Sequence, residues 1–305
     1  MLSLKPLLSL AILVLATLTG LGAEAPGATE AAEHHGAHGL PQAAPLLRED
    51  GWVSNSMFVT WFVALGLIVF AQISMRNAKA VPDGKQNFWE WMVESLHDFL
   101  EGIIGRALVK KTFWYFATVF IFILFANWAG LIPGVGTIGW GHGSIGDWNF
   151  KVETPWLRGI NADLNMTLAM SMIFFACWLV WALQVNGPGG FVLHLFGPKG
   201  DTTGVMKYLM ILIFIMAGLL EVVTILFRPV TLSFRLYGNI FAGENMLESM
   251  STMVPALGWL LPIPFYFLEV LVGFVQALVF MLLTAVFTLL ICEEGEGHGH
   301  KKAHH

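Results

Sequence analysis

From Tyr208 almost to Cys292 the chain is apolar, interrupted only around 253–264 by the segment MVPALGWLLPIP. About 20 apolar residues suffice to carry a helix across a bilayer, and backbone inside hydrocarbon must satisfy its own hydrogen bonds. This stretch therefore reads as two long helices, with the turn between them marked by Pro255, Pro262 and Pro264. Each is longer than a simple span needs, so each is expected to tilt or lie partly across the membrane. The rest of the chain agrees, with 56% hydrophobic and 12% charged residues and a mean hydropathy of +0.69. A soluble domain carries about 25% charged residues, so the expected fold class is an all-α integral membrane protein. The net charge of -5 argues against a nucleic-acid partner, which would require a basic face. The two cysteines, Cys177 and Cys292, have no ligand-like spacing, so no metal site or disulfide framework is expected.

The N-terminus has one lysine, a short apolar run and then Ala23-Glu24-Ala25, the layout of a secretory signal over 1–25. Residues 26–51 are rich in Ala, Gly and His without apolar periodicity and read as a solvated outer tail; His34, His35 and His38 belong to it. Residues 52–292 form the membrane domain, beginning with a helix over Ser56–Ser74. The segment NFWEWMVESLHDFLEGIIGRALVKK then places Phe88, Met92, Leu96, Phe99 and Ile103 at helical spacing, predicting an amphipathic surface helix. With Arg76, Lys79, Lys85, Arg106, Lys110 and Lys111 this is the most basic loop, so the positive-inside rule puts it in the cytoplasm. Trp114–Ile132 returns outward, and a Gly- and Trp-rich loop with only Lys151 and Arg158 follows to about Ala162. Leu164–Val185 goes back in, and Asn186-Gly187-Pro188-Gly189-Gly190 breaks that helix. With Lys199 and Lys207 on the same side, and a polar, His-rich segment at 293–305, the expectation is about five spans with the N-terminus outside and the C-terminus cytoplasmic. No internal repeat is visible, which disfavours an inverted-repeat transporter.

Arg235 sits inside the apolar run, with Glu221 before it and Asn239 and Glu244 after it. An ionisable side chain at bilayer depth costs at least a few kcal/mol, so it marks a functional site by default. At about 100° per residue, Arg235 and Asn239 share a helix face, and Glu221 projects about 40° away if Pro229 leaves the helix unbroken. Glu244 falls about 180° around, while Glu269 and Gln276 share a face of the last helix. A static salt bridge is the plainer account, yet desolvation offsets the attraction of buried ion pairs. Conduction is the stronger one: buried carboxylates exchange protons, an arginine that never deprotonates blocks passage, and a further acid is carried by a mobile partner. A self-contained channel or transporter using Arg235 as a clamp remains the alternative. The described motifs do not favour an intramembrane metal enzyme, because no HExxH or His/Cys cluster lies within the spans.

The segment RLYGNIFAGE, Arg235 to Glu244, resembles the signature of the a subunit of F-type ATP synthases. EVVTILFRPVTLSFR upstream, FLEVLVGFVQALVFMLLTAVF downstream and NADLNMTLAMSM extend the resemblance over roughly Trp52 to Cys292. The resemblance implies a helical stator with no cofactor, metal or nucleotide site of its own; no GxxxxGK[ST] loop is present. Its implied partners are a ring of c subunits, the b subunits of the peripheral stalk, membrane lipid and, indirectly, the F1 sector, in a bacterial inner membrane. By position, Arg235 matches the arginine that faces the ring carboxylates and separates two half-channels. Asn239, Glu244, Glu269 and Gln276 match the arginine's surroundings and the outer half-channel, and Glu221 matches the cytoplasmic one. Two positions depart from the pattern: Glu269 stands where many relatives have His, and Asn55 where many have Asp. Asp163 is the candidate for an outer carboxylate in its place, or else a residue that starts a helix.

Overall fold

The structure, a computed structural model, describes residues 54–76, 78–79, 84–132, 135, 139–142, 151–155, 157–196, 205–253, 257–258 and 260–299. The expected signal at 1–25, the tail at 26–51 and the last residues, 300–305, lie outside these. Among the described residues five helices are long and apolar enough to cross a membrane, as the hydropathy predicts, and the architecture is that of an all-α integral membrane protein. In chain order they are α1 (Asn55–Met75), α3 (Arg106–Gly130), α4 (Leu164–Phe196), α5 (Val205–Met253) and α6 (Pro262–Gly299), with α2 (Lys85–Ile104) between the first two.

α2 is the expected amphipathic helix, but its buried stripe is Trp89, Leu96, Leu100 and Ile104. Phe88 and Phe99, which the periodicity placed on that stripe, are exposed. Apolar residues occur on more than one side of this helix, and contact with α1 and α3 selects the Trp89 side. The boundary with the next span also differs from expectation. Gly105, at φ 76 and ψ 155, ends α2, and α3 starts at once with Arg106, so Lys110 and Lys111 belong to its first turns. The left-handed φ is one that glycine adopts without steric cost. Long basic side chains near a span's end reach toward the polar interface, so the charges do not shorten the helix.

α3 is the centre of the bundle: Tyr115, Phe116, Phe122 and Ile123 along it are fully buried. α6 packs along α3, and α5 along α4. Side chains of α3 and α4 donate hydrogen bonds to the backbone of α6: Trp128 to Val270 O at 3.2 Å, Asn127 to Gly273 O at 2.9 Å, Trp178 to Phe287 O at 3.1 Å and Asn186 to Ile291 O at 3.1 Å. Such bonds hold helices together where lipid tails remove the hydrophobic drive for association. Gly273 permits the close approach, since a Cβ there would sit 3.1 Å from Asn127 Cβ.

The predicted break in α4 is present: Gly187 has φ 69 and ψ 162, and Pro188 follows it. α5, by contrast, is one 49-residue helix that continues through Pro229. Its apolar part, Ile213–Ser251, is 39 residues, about 58 Å at 1.5 Å per residue against a hydrocarbon core of about 30 Å. A large tilt follows from that mismatch. α6 carries on to Gly299, so part of the polar segment after Cys292 is helical. Between α3 and α4 the loop holds a short antiparallel hairpin, β1 (Gly139–His142) paired with β2 (Lys151–Pro155). The sequence predicts only a loop here, because strands as short as GWGH and KVETP carry no period-two apolar signal. A 3-10 turn, Ile160–Ala162, then leads into α4.

Candidate functional site along the last two helices

α5 is only half covered. Leu232, Ser233, Leu236 and Ile240 face the bundle, with Ser233 Oγ 3.0 Å from Thr167 Oγ1 of α4. Leu220, Phe227 and Phe234 lie along its other side at 65%, 61% and 55% exposure. Arg235 is exposed on this side, with Gly238 and Asn239. Among the described residues, Arg235 has no carboxylate partner within ion-pair distance. The internal salt bridge to Glu221, Glu244 or Glu269 is therefore not formed. Asn239 shares the face of Arg235, as the helical spacing requires, and it also reaches α6: its Nδ2 donates to Gln276 Oε1 at 2.8 Å.

Further along α5 the polar groups turn inward. Glu244 points away from the Arg235 side and is 15% exposed, with Arg158 Nε 3.9 Å from its Oε2. Arg158 is itself 4% exposed and comes from the segment just before the 3-10 turn. Gly159 makes room for the carboxylate, since a Cβ there would overlap Glu244 Oε1; Gly130 in turn makes room for Gly159, whose Cα would lie 3.1 Å from an added Cβ. Glu269 of α6 is 6% exposed and lies against Gly243, where a Cβ would overlap its carboxylate. Glu269 and Gln276 both face the bundle, as their seven-residue spacing predicts. Measured along α5, Glu244 is about 13 Å from Arg235. The Glu244/Glu269 level and the Asn239/Gln276 level are thus successive steps toward the arginine.

Glu221 is not brought to this group, being about 21 Å away on the other side of Arg235 along the axis. It shares that end of α5 with Arg228, whose guanidinium lies 4.6 Å from the Phe287 ring centroid and 5.6 Å from that of Trp178. Those distances are within the range of cation–π attraction, which holds Arg228 against α4 and α6.

Asp163 takes the helix-starting role. Its Oδ1 accepts from the backbone N–H of Asn165, capping α4, and its Oδ2 accepts from Ser56 Oγ of α1 at 2.5 Å. Asparagine keeps the capping acceptor, and its Nδ2 can donate to Ser56 Oγ with that bond reversed, so neither function requires a charge. Asp163→Asn is accordingly expected to retain most proton pumping. Asp163→Ala, which removes the cap at a cost of about 1 kcal/mol and leaves Ser56 Oγ with Ser54 Oγ alone, lowers the thermal stability of the detergent-solubilised complex. Near-complete loss of pumping in Asp163→Asn would instead make this carboxylate part of the path.

Arg158, Arg228 and the Asn127–Asn161 pair, joined at 2.6 Å, are polar groups that no motif in the sequence marks. Arg158 was grouped with the charges of an outer loop. The one local signal was its position between Leu157 and the apolar run that opens α4.

These elements define a multi-pass helical membrane protein with polar side chains stepped along its last two helices and an arginine on the uncovered side. Residues 57–288 match the family described as ATP synthase A chain, and the chain belongs to that family. It is 31% identical over 222 residues to ATP synthase subunit a of Pseudomonas putida KT2440, covering 68% of this chain and 71% of the relative. The subunit a of Gloeobacter violaceus is 31% identical over 201 residues, 66% of this chain and 70% of its own length. That of Desulfotalea psychrophila is 32% identical over 191 residues, covering 63% and 65%. Family membership makes the chain a membrane subunit of the Fo sector of an ATP synthase.

Proposed function

We propose that this subunit is the proton-translocating stator of its complex, offering two offset half-channels to a ring of c subunits. Arg235 faces the ring and attracts each ring carboxylate as it loses its proton. An arginine does not deprotonate in proteins, so it also keeps protons from passing directly between the half-channels. Glu244, Glu269, Gln276 and Asn239 line the outer half-channel, and Glu221 belongs to the cytoplasmic one. Rotation of the ring joins the two, coupling proton flow to ATP synthesis or hydrolysis on the F1 sector, while the b subunits anchor the stator. The basic residues around α2 orient the chain with its N-terminus outside a bacterial inner membrane and its C-terminus in the cytoplasm.

The observation that supports this reading most strongly is the position of Arg235: a membrane-depth cation on the uncovered side of α5, without an ion partner among the described residues. A cation so placed is expensive unless a second molecule supplies its counter-charge. Reconstitution in liposomes tests this. The purified chain alone is expected to carry no proton flux, and flux appears once the c ring is included. Flux through the chain by itself would favour a self-contained channel.

A further inference from the structure

Glu244 is held by a group that the family motif around Arg235 does not contain. Its carboxylate occupies a notch left by Gly159 before the 3-10 turn, which itself packs against Gly130 at the end of α3. The only cation described within ion-pair distance of it is Arg158, at 3.9 Å. This is the separation of an ion pair rather than of a direct hydrogen bond. The side facing α6 presents Glu269, and Glu248 lies on Glu244's own helix. Tyr237, two turns away on the same face of α5, is within electrostatic reach of Arg158, Asp163 and Glu244. Glu244 is therefore placed among like charges, with one buried arginine opposing them.

We propose that Arg158 is a positioning residue for proton transfer: a fixed cation that holds the Glu244 carboxylate in its glycine notch, facing Glu269. The proposal rests on the proton-path reading of Glu244. The segment before α4 then forms a wall of the outer half-channel and does more than connect two spans. Arg158 itself moves no proton, because a guanidinium stays protonated. Without it, repulsion from Glu269 and Glu248 drives the carboxylate out of the notch, and removing one member of a buried pair leaves an uncompensated charge. Near-complete burial of Arg158 also excludes the solvated-loop role that its sequence position suggests.

The test uses the whole ATP synthase in inverted membrane vesicles, with ATP-driven proton pumping and the amounts of a and c subunits in the purified complex read together. Arg158→Gln is expected to lower pumping about tenfold or more in assembled complexes, and Arg158→Lys, which keeps the charge, to recover most of it. In a Glu244→Gln background, Arg158→Gln adds no further loss, because residues acting as one unit are not additive. Should Arg158→Gln fail to assemble, the double variant Arg158→Gln/Glu244→Gln, which leaves no lone charge, restores assembly. Wild-type pumping in Arg158→Gln overturns the proposal, as do a lysine variant no better than the glutamine one, losses that multiply, or a double variant that also fails to assemble. Arg235→Ala is run in parallel. If that variant pumps, the proton-path reading fails; if it is inactive while Arg158→Gln pumps normally, only the role of Arg158 fails.

Discussion

Arg235→Ala abolishes ATP-driven proton pumping in inverted vesicles while the subunit still assembles. The two halves of this expectation have separate physical origins. Arg235 is exposed on α5, so truncating it removes little from the bundle. Substitutions at such positions usually change stability by about 0.5 kcal/mol or less. Its proposed contribution to function is electrostatic, and among the described residues of α5 no other cation replaces it on that side. Arg228 lies two helical turns away and is held against Phe287 and Trp178. Arg235→Lys is expected to recover only part of the activity, since an ammonium keeps the charge but loses the planar fork that meets a carboxylate with two bonds. Dye quenching reports pumping, and immunoblotting of purified complexes reports assembly. Normal pumping by the alanine variant would contradict the assignment.

Gly243→Ala is the second large effect. The new Cβ would overlap the Glu269 carboxylate, which is 6% exposed and enclosed between α5 and α6. Either the carboxylate moves out of line with Glu244, or α6 shifts. Overpacking of this kind costs about 1–3 kcal/mol. Pumping is expected to fall about tenfold or more, as for other small displacements of reacting groups. Two controls separate the causes. Gly102→Ala in the last turn of α2 adds a methyl to open space, where replacing a helical glycine stabilises by at most about 0.5–1 kcal/mol. Gly243→Ala/Glu269→Ala removes the obstructed group, so thermal stability returns while pumping stays low. Recovery of pumping in that double variant would show that Glu269 is dispensable.

How much was legible in the sequence depended on how local the signal was. The five spans, the break at Gly187 and the long final hairpin follow from apolar runs and glycine or proline punctuation, which act within a few residues. Arg235 and Asn239 share a face because both lie on one helix, where 3.6 residues per turn fixes the geometry. The Asn239–Gln276 bond and the Glu269–Gly243 contact join two helices, and only their shared polar character hinted at proximity. The stripe on α2 was misplaced because apolar residues on several sides left the choice to tertiary packing. Arg158 was missed for the same reason: its partner lies on α5, far along the chain, and no period in the sequence relates them. For Asp163 the sequence leaves two readings open, an outer carboxylate or a helix start, and the cap to Asn165 N–H is the one the geometry displays.

The central claim is that the counter-charge of Arg235 belongs to another subunit. An electron cryo-microscopy map of the intact membrane sector tests it directly. The account predicts the Arg235 guanidinium facing the ring, within about 4 Å of a ring carboxylate in at least one rotational state. Arg235 turned into its own bundle and paired with Glu221, Glu244 or Glu269 in every state would contradict it.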